Sequence, residues 1–173
     1  MLEYRGYGES SGSPTERGVE RDARAGLEWL VRERGVAPER ILLHGRSLGT
    51  ALAVHLASDD GAGVECAGLV LVSPLESGRA AADAMGLWPV AWAFGRPFDS
   101  IRRIESVAEP VLIVHGTDDR VLPYAGAERL AARAPNLVDL VTVEGADHDD
   151  VLVRAGPEFT RRIGELLDRV APR

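Results

Sequence analysis

Four runs of aliphatic residues alternate along this chain with segments of helical period, and this alternation restricts its fold more than any other feature. Each run is as long as a strand and almost continuously apolar, which is typical of strands covered on both faces. Strands that are joined through helices form a mostly parallel sheet with helices on both faces. The sequence therefore predicts an α/β fold. The predicted strands are residues 40–44, 68–73, 111–115 and 137–143.

The segments between these runs predict helices. Ser13 is placed to cap a helix in which Pro14 takes the first position and Glu16 lies three residues after the cap. Apolar residues continue along one face of this helix until Gly35 and Pro38 end it. The other predicted helices are residues 48–58, 125–133 and 157–170.

Composition limits the kind of protein that this chain can be. It has 173 residues, a formal net charge of -7 and one cysteine, and its length predicts a single domain over residues 1–173. Its arginines are scattered among acidic residues, whereas a nucleic-acid surface needs a concentrated basic face. Cys66 alone can form neither an internal disulfide nor a cysteine-rich metal site. Because no apolar run approaches the roughly 18 residues of a membrane span, we expect no membrane span and a cytoplasmic protein.

The first apolar run leads directly into Gly45-Arg46-Ser47-Leu48-Gly49. A serine between two glycines after a strand is the pattern of a nucleophile elbow, in which the chain reverses sharply and exposes the serine hydroxyl above the sheet. The following residues favour a helix, whose unpaired N-terminal N–H groups would favour developing negative charge. Ser47 is therefore the candidate nucleophile. The alternative is a helix-capping serine in a tight turn.

A serine hydroxyl becomes nucleophilic when a base takes its proton and a carboxylate orients that base. Asp118 and Asp119 follow the third predicted strand, and His148 follows the fourth. Because the carboxyl ends of parallel strands lie at one edge of the sheet, we expect Ser47, one of the two aspartates and His148 to meet there. The order Ser, Asp, His is that of α/β-hydrolases. The alternative for His148 is an exposed loop histidine.

The other histidines fit the role of base poorly. His55 lies eight residues after Ser47 in the same predicted helix, which is roughly 12 Å at a rise of 1.5 Å per residue. His44 and His115 lie at the ends of predicted inner strands, which favours a structural role.

Together these motifs resemble the α/β-hydrolase superfamily, and especially its BEM46-like branch, which includes the depalmitoylating serine hydrolases of the α/β-hydrolase domain-containing protein 17 group. The resemblance extends over nearly the whole chain. The segments that match the family are residues 4–10 with Gly12, the elbow at 45–49, Ser73-Pro74, residues 110–119 and residues 145–150.

The resemblance implies a set of catalytic residues and a chemistry. The family's nucleophile falls on Ser47, its base on His148 and its acid on Asp119 rather than Asp118, and its first oxyanion donor is the backbone N–H of Leu48. The implied reaction is hydrolysis of a small-molecule carboxylic ester or thioester through an acyl-enzyme, with no metal or organic cofactor. The alternatives are a non-catalytic hydrolase fragment and an acyltransferase.

Two departures from the family's pattern lead to further expectations. Relatives carry additional strands before residues 4–8, together with a His-Gly loop that supplies the second oxyanion donor. Without those strands the elbow strand would be an exposed sheet edge, through which we expect the chain to self-associate. Asp147 stands where relatives usually have a small residue, and we expect its charge beside His148 to favour the imidazolium.

The connection over residues 76–107 is unusually long and carries Trp88 and Trp92. Connections of more than about 15 residues are often lids or binding elements. We expect a small lid over an apolar acyl group, with Trp88 and Trp92 contacting the substrate. The alternative is ordinary packing in the core.

Overall fold

The computed structural model describes residues 3–61, 63–87 and 97–170. In these residues four strands form one sheet, in which each strand pairs in parallel with the next strand along the chain. The predicted α/β fold is confirmed, and all four predicted strands are present. The strands are β1 (Leu42–Arg46), β2 (Gly68–Val72), β3 (Val111–Gly116) and β4 (Leu137–Val143).

Helices connect the strands and continue the chain after the last one. The described helices are α1 (Glu16–Arg32), α2 (Leu48–Ala57), α3 (Gly78–Ala84), α4 (Ser100–Arg103), α5 (Tyr124–Arg133) and α6 (Val151–Val170), with 3₁₀ turns at Pro38–Arg40 and Ile104–Ser106. Among the described residues, none of these helices combines the length and the apolar character that a membrane span requires.

Alternate side chains of the inner strands pack into two separate cores. In β2, Leu69 and Leu71 join a core with α2 and α5, whereas Val70 and Val72 join a core with α6. The side chains of β3 alternate between the same two cores. Because both faces of β2 and β3 are covered, their sequences are continuous apolar runs rather than alternations of apolar and polar residues.

The first helix begins later than its capping pattern predicts. Its N-cap is Thr15, whose hydroxyl accepts the N–H of Gly18 at 3.2 Å, so the prediction of Ser13 as the cap is wrong. Glu16 does not close a capping box at Ser13 because its carboxylate accepts the N–H of Phe98 at 2.6 Å. A contact with a residue far along the chain therefore overrides the local pattern.

Two other boundaries differ from the predictions. β1 begins at Leu42 rather than at residue 40, because Pro38–Arg40 forms a 3₁₀ turn that the N–H of Ile41 closes onto the carbonyl of Pro38 at 2.9 Å. α6 begins before residue 157 and contains a break at Gly156, where φ is 46°. Positive φ favours glycine, so the chain can change direction there at little cost.

Among the described residues β1 pairs only with β2, so its other edge has no strand partner there. The carbonyl of Ile41 and the N–H of Ser47 both bond to the β2 side. Because backbone groups point alternately to the two edges of a strand, those of Leu42, His44 and Arg46 point to the unpaired edge. Self-association through this edge stays a prediction.

Self-association through β1 would protect particular amides from exchange with D₂O. The N–H groups of Leu42, His44 and Arg46 should exchange more slowly in a concentrated sample than in a dilute one, because a second strand would accept their hydrogen bonds. NMR exchange rates at the two concentrations, together with sedimentation velocity, measure this. The amides of Leu43 and Gly45 face β2 and serve as internal controls. A chain that stays monomeric with unchanged exchange along β1 contradicts the prediction.

Candidate active site

Ser47 lies in the tight turn between β1 and α2. Its φ of 52° and ψ of -122° are rarely adopted by residues other than glycine. The N–H of Ser47 donates to the carbonyl of Val72 in β2 at 3.0 Å, and its carbonyl accepts the N–H of Thr50 at 3.0 Å. Hydrogen bonds on both sides therefore hold the strained residue in the conformation of a nucleophile elbow.

The two glycines of the elbow have different surroundings. A Cβ on Gly45 would collide with the backbone of Gly49 and Thr50, so no larger residue fits without movement of the chain. A Cβ on Gly49 would meet nothing within 4 Å. The close approach of β1 to the start of α2 thus requires glycine at position 45 and not at position 49.

This difference predicts opposite effects for two alanine substitutions. Gly45→Ala should lower the free energy of unfolding by about 1–3 kcal/mol, because its methyl group overpacks the turn. Gly49→Ala is the matched control and should leave stability unchanged or raise it by up to about 1 kcal/mol, because alanine is the better helix former. Urea unfolding of both variants measures the effect. Equal stabilities would contradict this account of the elbow.

The carboxylate of Asp119 is buried in the loop after β3 and accepts hydrogen bonds at both oxygens. Oδ1 accepts the N–H groups of Val121 at 2.9 Å and Leu122 at 2.7 Å. Oδ2 lies 2.8 Å from Nδ1 of His148 and 3.2 Å from Nε2 of His115. Burial raises the pKa of Asp119, but hydrogen bonds from His115, the Leu122 N–H and His148 outweigh burial and hold that pKa well below its ordinary range. Asp119 is therefore ionised at neutral pH.

The neighbouring Asp118 is exposed, and its carboxylate accepts a hydrogen bond from the hydroxyl of Thr117 at 3.3 Å. Of the two aspartates that the strand pattern leaves open, the fold brings Asp119 to His148. Asp119 is also the residue that the family resemblance implies as the acid, and that role stays a prediction.

The lowered pKa of Asp119 predicts a pH-dependent contribution to stability. A carboxylate with a depressed folded-state pKa stabilises the protein above its unfolded pKa of about 4, and this contribution is lost as the pH falls through the folded-state pKa. Between about pH 6 and pH 3 the wild-type protein should therefore lose more unfolding free energy than Asp119→Asn. Urea unfolding at several pH values tests this. Asp118→Asn is the control and should follow the wild type, whereas equal pH dependence in all three proteins would contradict the prediction.

His148 is a largely buried residue of the loop between β4 and α6. Its Nδ1 donates to the ionised carboxylate of Asp119, so the neutral ring carries its proton there and Nε2 can accept a proton. Among the described residues, neither Nε2 of His148 nor the hydroxyl of Ser47 has a hydrogen-bond partner. Such contacts are often long in the absence of substrate.

The loop that carries His148 is nevertheless attached to the elbow. The guanidinium of Arg46, the residue before Ser47, donates to the carbonyl of His148 at 2.8 Å. Arg46 is a residue of the site that the sequence analysis missed, because its partner lies 102 positions further along the chain.

His115 is a second histidine beside Asp119. Its fully buried Nε2 lies between the carbonyl of Leu122 at 2.9 Å and Oδ2 of Asp119 at 3.2 Å. Both partners are acceptors, so Nε2 carries a proton that they share. The ring packs edge-on against Tyr124. The sequence analysis assigned His115 a structural role and missed this contact, which depends on how the loop after β3 folds back over the strand.

Asp147 connects the loop of the acid to the loop of the base. Its carboxylate accepts the N–H of Arg120 at 3.1 Å, the Nε of Arg120 at 2.8 Å and the N–H of His148 at 2.7 Å. These donors, the Arg120 N–H foremost, lower the pKa of Asp147. The expectation that Asp147 favours the imidazolium of His148 stays a prediction.

His55 and His44, which the sequence analysis judged to be poor candidates for the base, do not contact the candidate catalytic residues in the part of the chain that the structure describes. His55 is buried in α2 with Nδ1 at 3.5 Å from Oε1 of Glu20, and burial lowers the pKa of His55. His44 is exposed on β1 and its ring lies 6.2 Å from that of Phe159. Neither has a described contact with Ser47 or Asp119.

Leu48 begins α2, so its N–H belongs to a first turn whose amides have no intrahelical acceptor. Trp88 and Trp92, predicted to contact substrate, lie outside the described residues. In the long connection, α3 has no buried residue, whereas Ile101, Ile104 and Val107 pack in the core. Residues 101–107 thus agree with the alternative interpretation, in which the connection packs in the core. The lid itself stays a prediction.

An apolar groove of about 670 Å³ is lined by residues of α1, β1 and α2. None of Ser47, Asp119 and His148 lines it. The candidate site is therefore the group of hydrogen-bonded side chains at the sheet edge and not this groove.

Known proteins with this fold define its class. A family model, Abhydrolase_4, described as TAP-like protein, matches residues 73–157, which include Asp119 and His148. An α/β hydrolase from Vibrio vulnificus superimposes with a TM-score of 0.78 and 25% identity over 95% of this chain and 61% of that chain. A Pyrococcus furiosus esterase superimposes with a TM-score of 0.74 and 24% identity over 96% of this chain and 68% of that chain. The chain therefore has the fold of the α/β-hydrolases.

In sequence the chain is similar to α/β-hydrolase domain-containing protein 17C of Xenopus tropicalis. The two are 37% identical over an alignment of 173 positions that covers 98% of this chain and 52% of the relative. The chain therefore spans about half the length of the curated relatives it matches. The family resemblance stated from the sequence is confirmed.

Proposed function

We propose that this protein is a serine hydrolase that cleaves carboxylic ester or thioester bonds through an acyl-enzyme intermediate. The observation that carries the proposal is the 2.8 Å contact between Nδ1 of His148 and the buried, ionised carboxylate of Asp119. This pair lies in the loops after β3 and β4, at the sheet edge where the strained Ser47 follows β1. A base oriented by a carboxylate beside an elbow serine is the arrangement that acyl transfer requires.

In the proposed acylation step Nε2 of His148 takes the proton of the Ser47 hydroxyl while Oγ attacks the acyl carbon. A bond forms between Oγ and that carbon, and the bond to the leaving oxygen or sulfur breaks as His148 returns the proton to it. Water then attacks the acyl-serine by the same proton route and releases the acid. Asp119 stays ionised throughout and stabilises the imidazolium that forms twice in the cycle.

We assign the stabilisation of the developing oxyanion to the backbone N–H of Leu48. This amide belongs to the first turn of α2, where the helix dipole also favours negative charge. Removal of one oxyanion donor lowers kcat about a hundred- to a thousandfold in hydrolases of this kind.

The proposed substrate class is supported by the chemistry of the site and by similar proteins. The Pyrococcus furiosus relative is described as an esterase, and the family resemblance extends the class to thioesters. We propose that Trp88 and Trp92 contact an apolar acyl group, as expected from the sequence.

The rival proposal is a non-catalytic hydrolase fragment. It is favoured by one observation, which is that the Ser47 hydroxyl has no hydrogen bond to His148 among the described residues. Covalent labelling distinguishes the two proposals because it requires the nucleophile and its base but no turnover.

We expect a fluorophosphonate probe to label the wild-type protein at Ser47, as located by mass spectrometry of the modified peptide. Ser47→Ala should not label, and His148→Ala should label at least about a hundredfold more slowly because the serine loses its base. His44→Gln, a substitution at an exposed histidine with no described contact to Asp119, is the matched control and should label like the wild type. Circular dichroism checks that each variant is folded.

Absence of label on folded wild-type protein, or undiminished labelling of Ser47→Ala, would contradict the proposal. Hydrolysis of p-nitrophenyl butyrate, followed for an initial burst of p-nitrophenol, then tests for the acyl-enzyme. Product analysis with competing alcohols or amines separates hydrolysis from acyl transfer to another acceptor.

A further inference from the structure

The structure assigns a positioning role to Arg46. We propose that its guanidinium holds the loop of His148 against the elbow and thereby sets the separation between the hydroxyl of Ser47 and the imidazole of His148. This inference rests on the proposed function of Ser47 and His148. In this role Arg46 acts on the reaction through His148 and does not contact the reacting atoms.

The backbone of Arg46 lies at the end of β1, directly before the strained residue Ser47. Arg46 is the last residue of β1 and is in register with Val72 of β2. The next residue, Ser47, donates its N–H to the carbonyl of Val72 at 3.0 Å. The backbone from which the arginine side chain extends therefore has the same rigid support as the nucleophile.

At its far end the side chain reaches the backbone of the base. Nη2 of Arg46 donates to the carbonyl of His148 at 2.8 Å and lies 2.9 Å from Oδ1 of Asp149. The imidazole of His148 is held separately, by Asp119. His148 is thus attached by its ring to the acid loop and by its carbonyl to the nucleophile strand.

The two contacts of Arg46 should differ in importance. The Asp149 side chain is 95% exposed, and ion pairs at exposed sites contribute about 0–1 kcal/mol. The contact with the His148 carbonyl is part-buried and charge-assisted, which makes it the stronger of the two. We therefore assign the positioning effect to the carbonyl contact.

This attachment matters because Ser47 and His148 have no direct hydrogen bond among the described residues. The distance between the two side chains then depends on the loops that carry them. Displacement of a reacting group by about 1 Å can cost about a hundredfold in rate. A loop released by loss of Arg46 would keep its Asp119 contact and lose its alignment with Ser47.

Three substitutions test the proposal, and the wild-type protein is compared with each. Arg46→Ala should lower kcat for p-nitrophenyl butyrate and the rate of fluorophosphonate labelling by about ten- to a hundredfold, with KM unchanged within about twofold. Arg46→Lys should recover most of the activity because one N–H donor is enough for the carbonyl. Asp149→Ala, which removes only the exposed partner, should stay within about twofold of the wild type.

Hydrogen exchange supplies a readout that does not depend on activity. Arg46→Ala should raise exchange of the amides in residues 145–150 while leaving β2 and β3 protected, and Asp149→Ala should not. Unchanged exchange in this loop overturns the proposal even when the wild-type protein takes no label and the proposed function itself fails. If Arg46→Ala does not fold, Arg46→Gln replaces it.

Other results also overturn the positioning role. Wild-type labelling with an equal labelling rate in Arg46→Ala would leave the proposed function intact and remove Arg46 from it. A rise in KM with unchanged kcat would make Arg46 a substrate contact. A loss in Asp149→Ala as large as that in Arg46→Ala would transfer the effect to the exposed ion pair.

Discussion

The parallel register of β1 to β4 is held by two cores, one on each face of the sheet. Leu69 and Leu71 point into one core while Val70 and Val72 point into the other. A slip of one residue would exchange the two sets and disrupt the packing on both faces at once. Because this register is fixed, the loops after β1, β3 and β4 emerge at the same edge, and the elbow, the acid and the base all depend on it.

Two kinds of polar contact then hold these loops together. Inside, the carboxylate of Asp119 is shielded from water and bonded to His115 and His148, so its interactions are little weakened by salt. Between the loops, Arg46 connects the elbow to the base loop through a part-buried, charge-assisted contact with the carbonyl of His148. At the surface, Arg120 connects the acid loop to the base loop through Asp147, and this exposed contact is screened by salt and individually weaker.

Much of the fold was predictable because buried segments have local sequence patterns that can be recognised. β2 and β3 are apolar throughout since both their faces are covered, and the elbow is recognisable since Gly45 must lack a side chain where β1 meets α2. The start of α1 was not predictable from its neighbours. The carboxylate of Glu16 accepts a hydrogen bond from the N–H of Phe98, 82 residues away. The residues around Ser13 do not indicate this contact.

The sequence by itself determined the types of the candidate residues and their order, because Ser47, the two aspartates and His148 each lie in the segment that follows a strand. The strand pattern left Asp118 and Asp119 open and the family resemblance implied Asp119, but only the tertiary structure showed that the Asp119 carboxylate meets His148, 29 residues away. Only the tertiary structure showed that Arg46 reaches the same loop across 102 residues. The physical reason is that these side chains come into contact only after the strands have paired. Their hydrogen bonds depend on the register of the sheet and not on spacing along the chain.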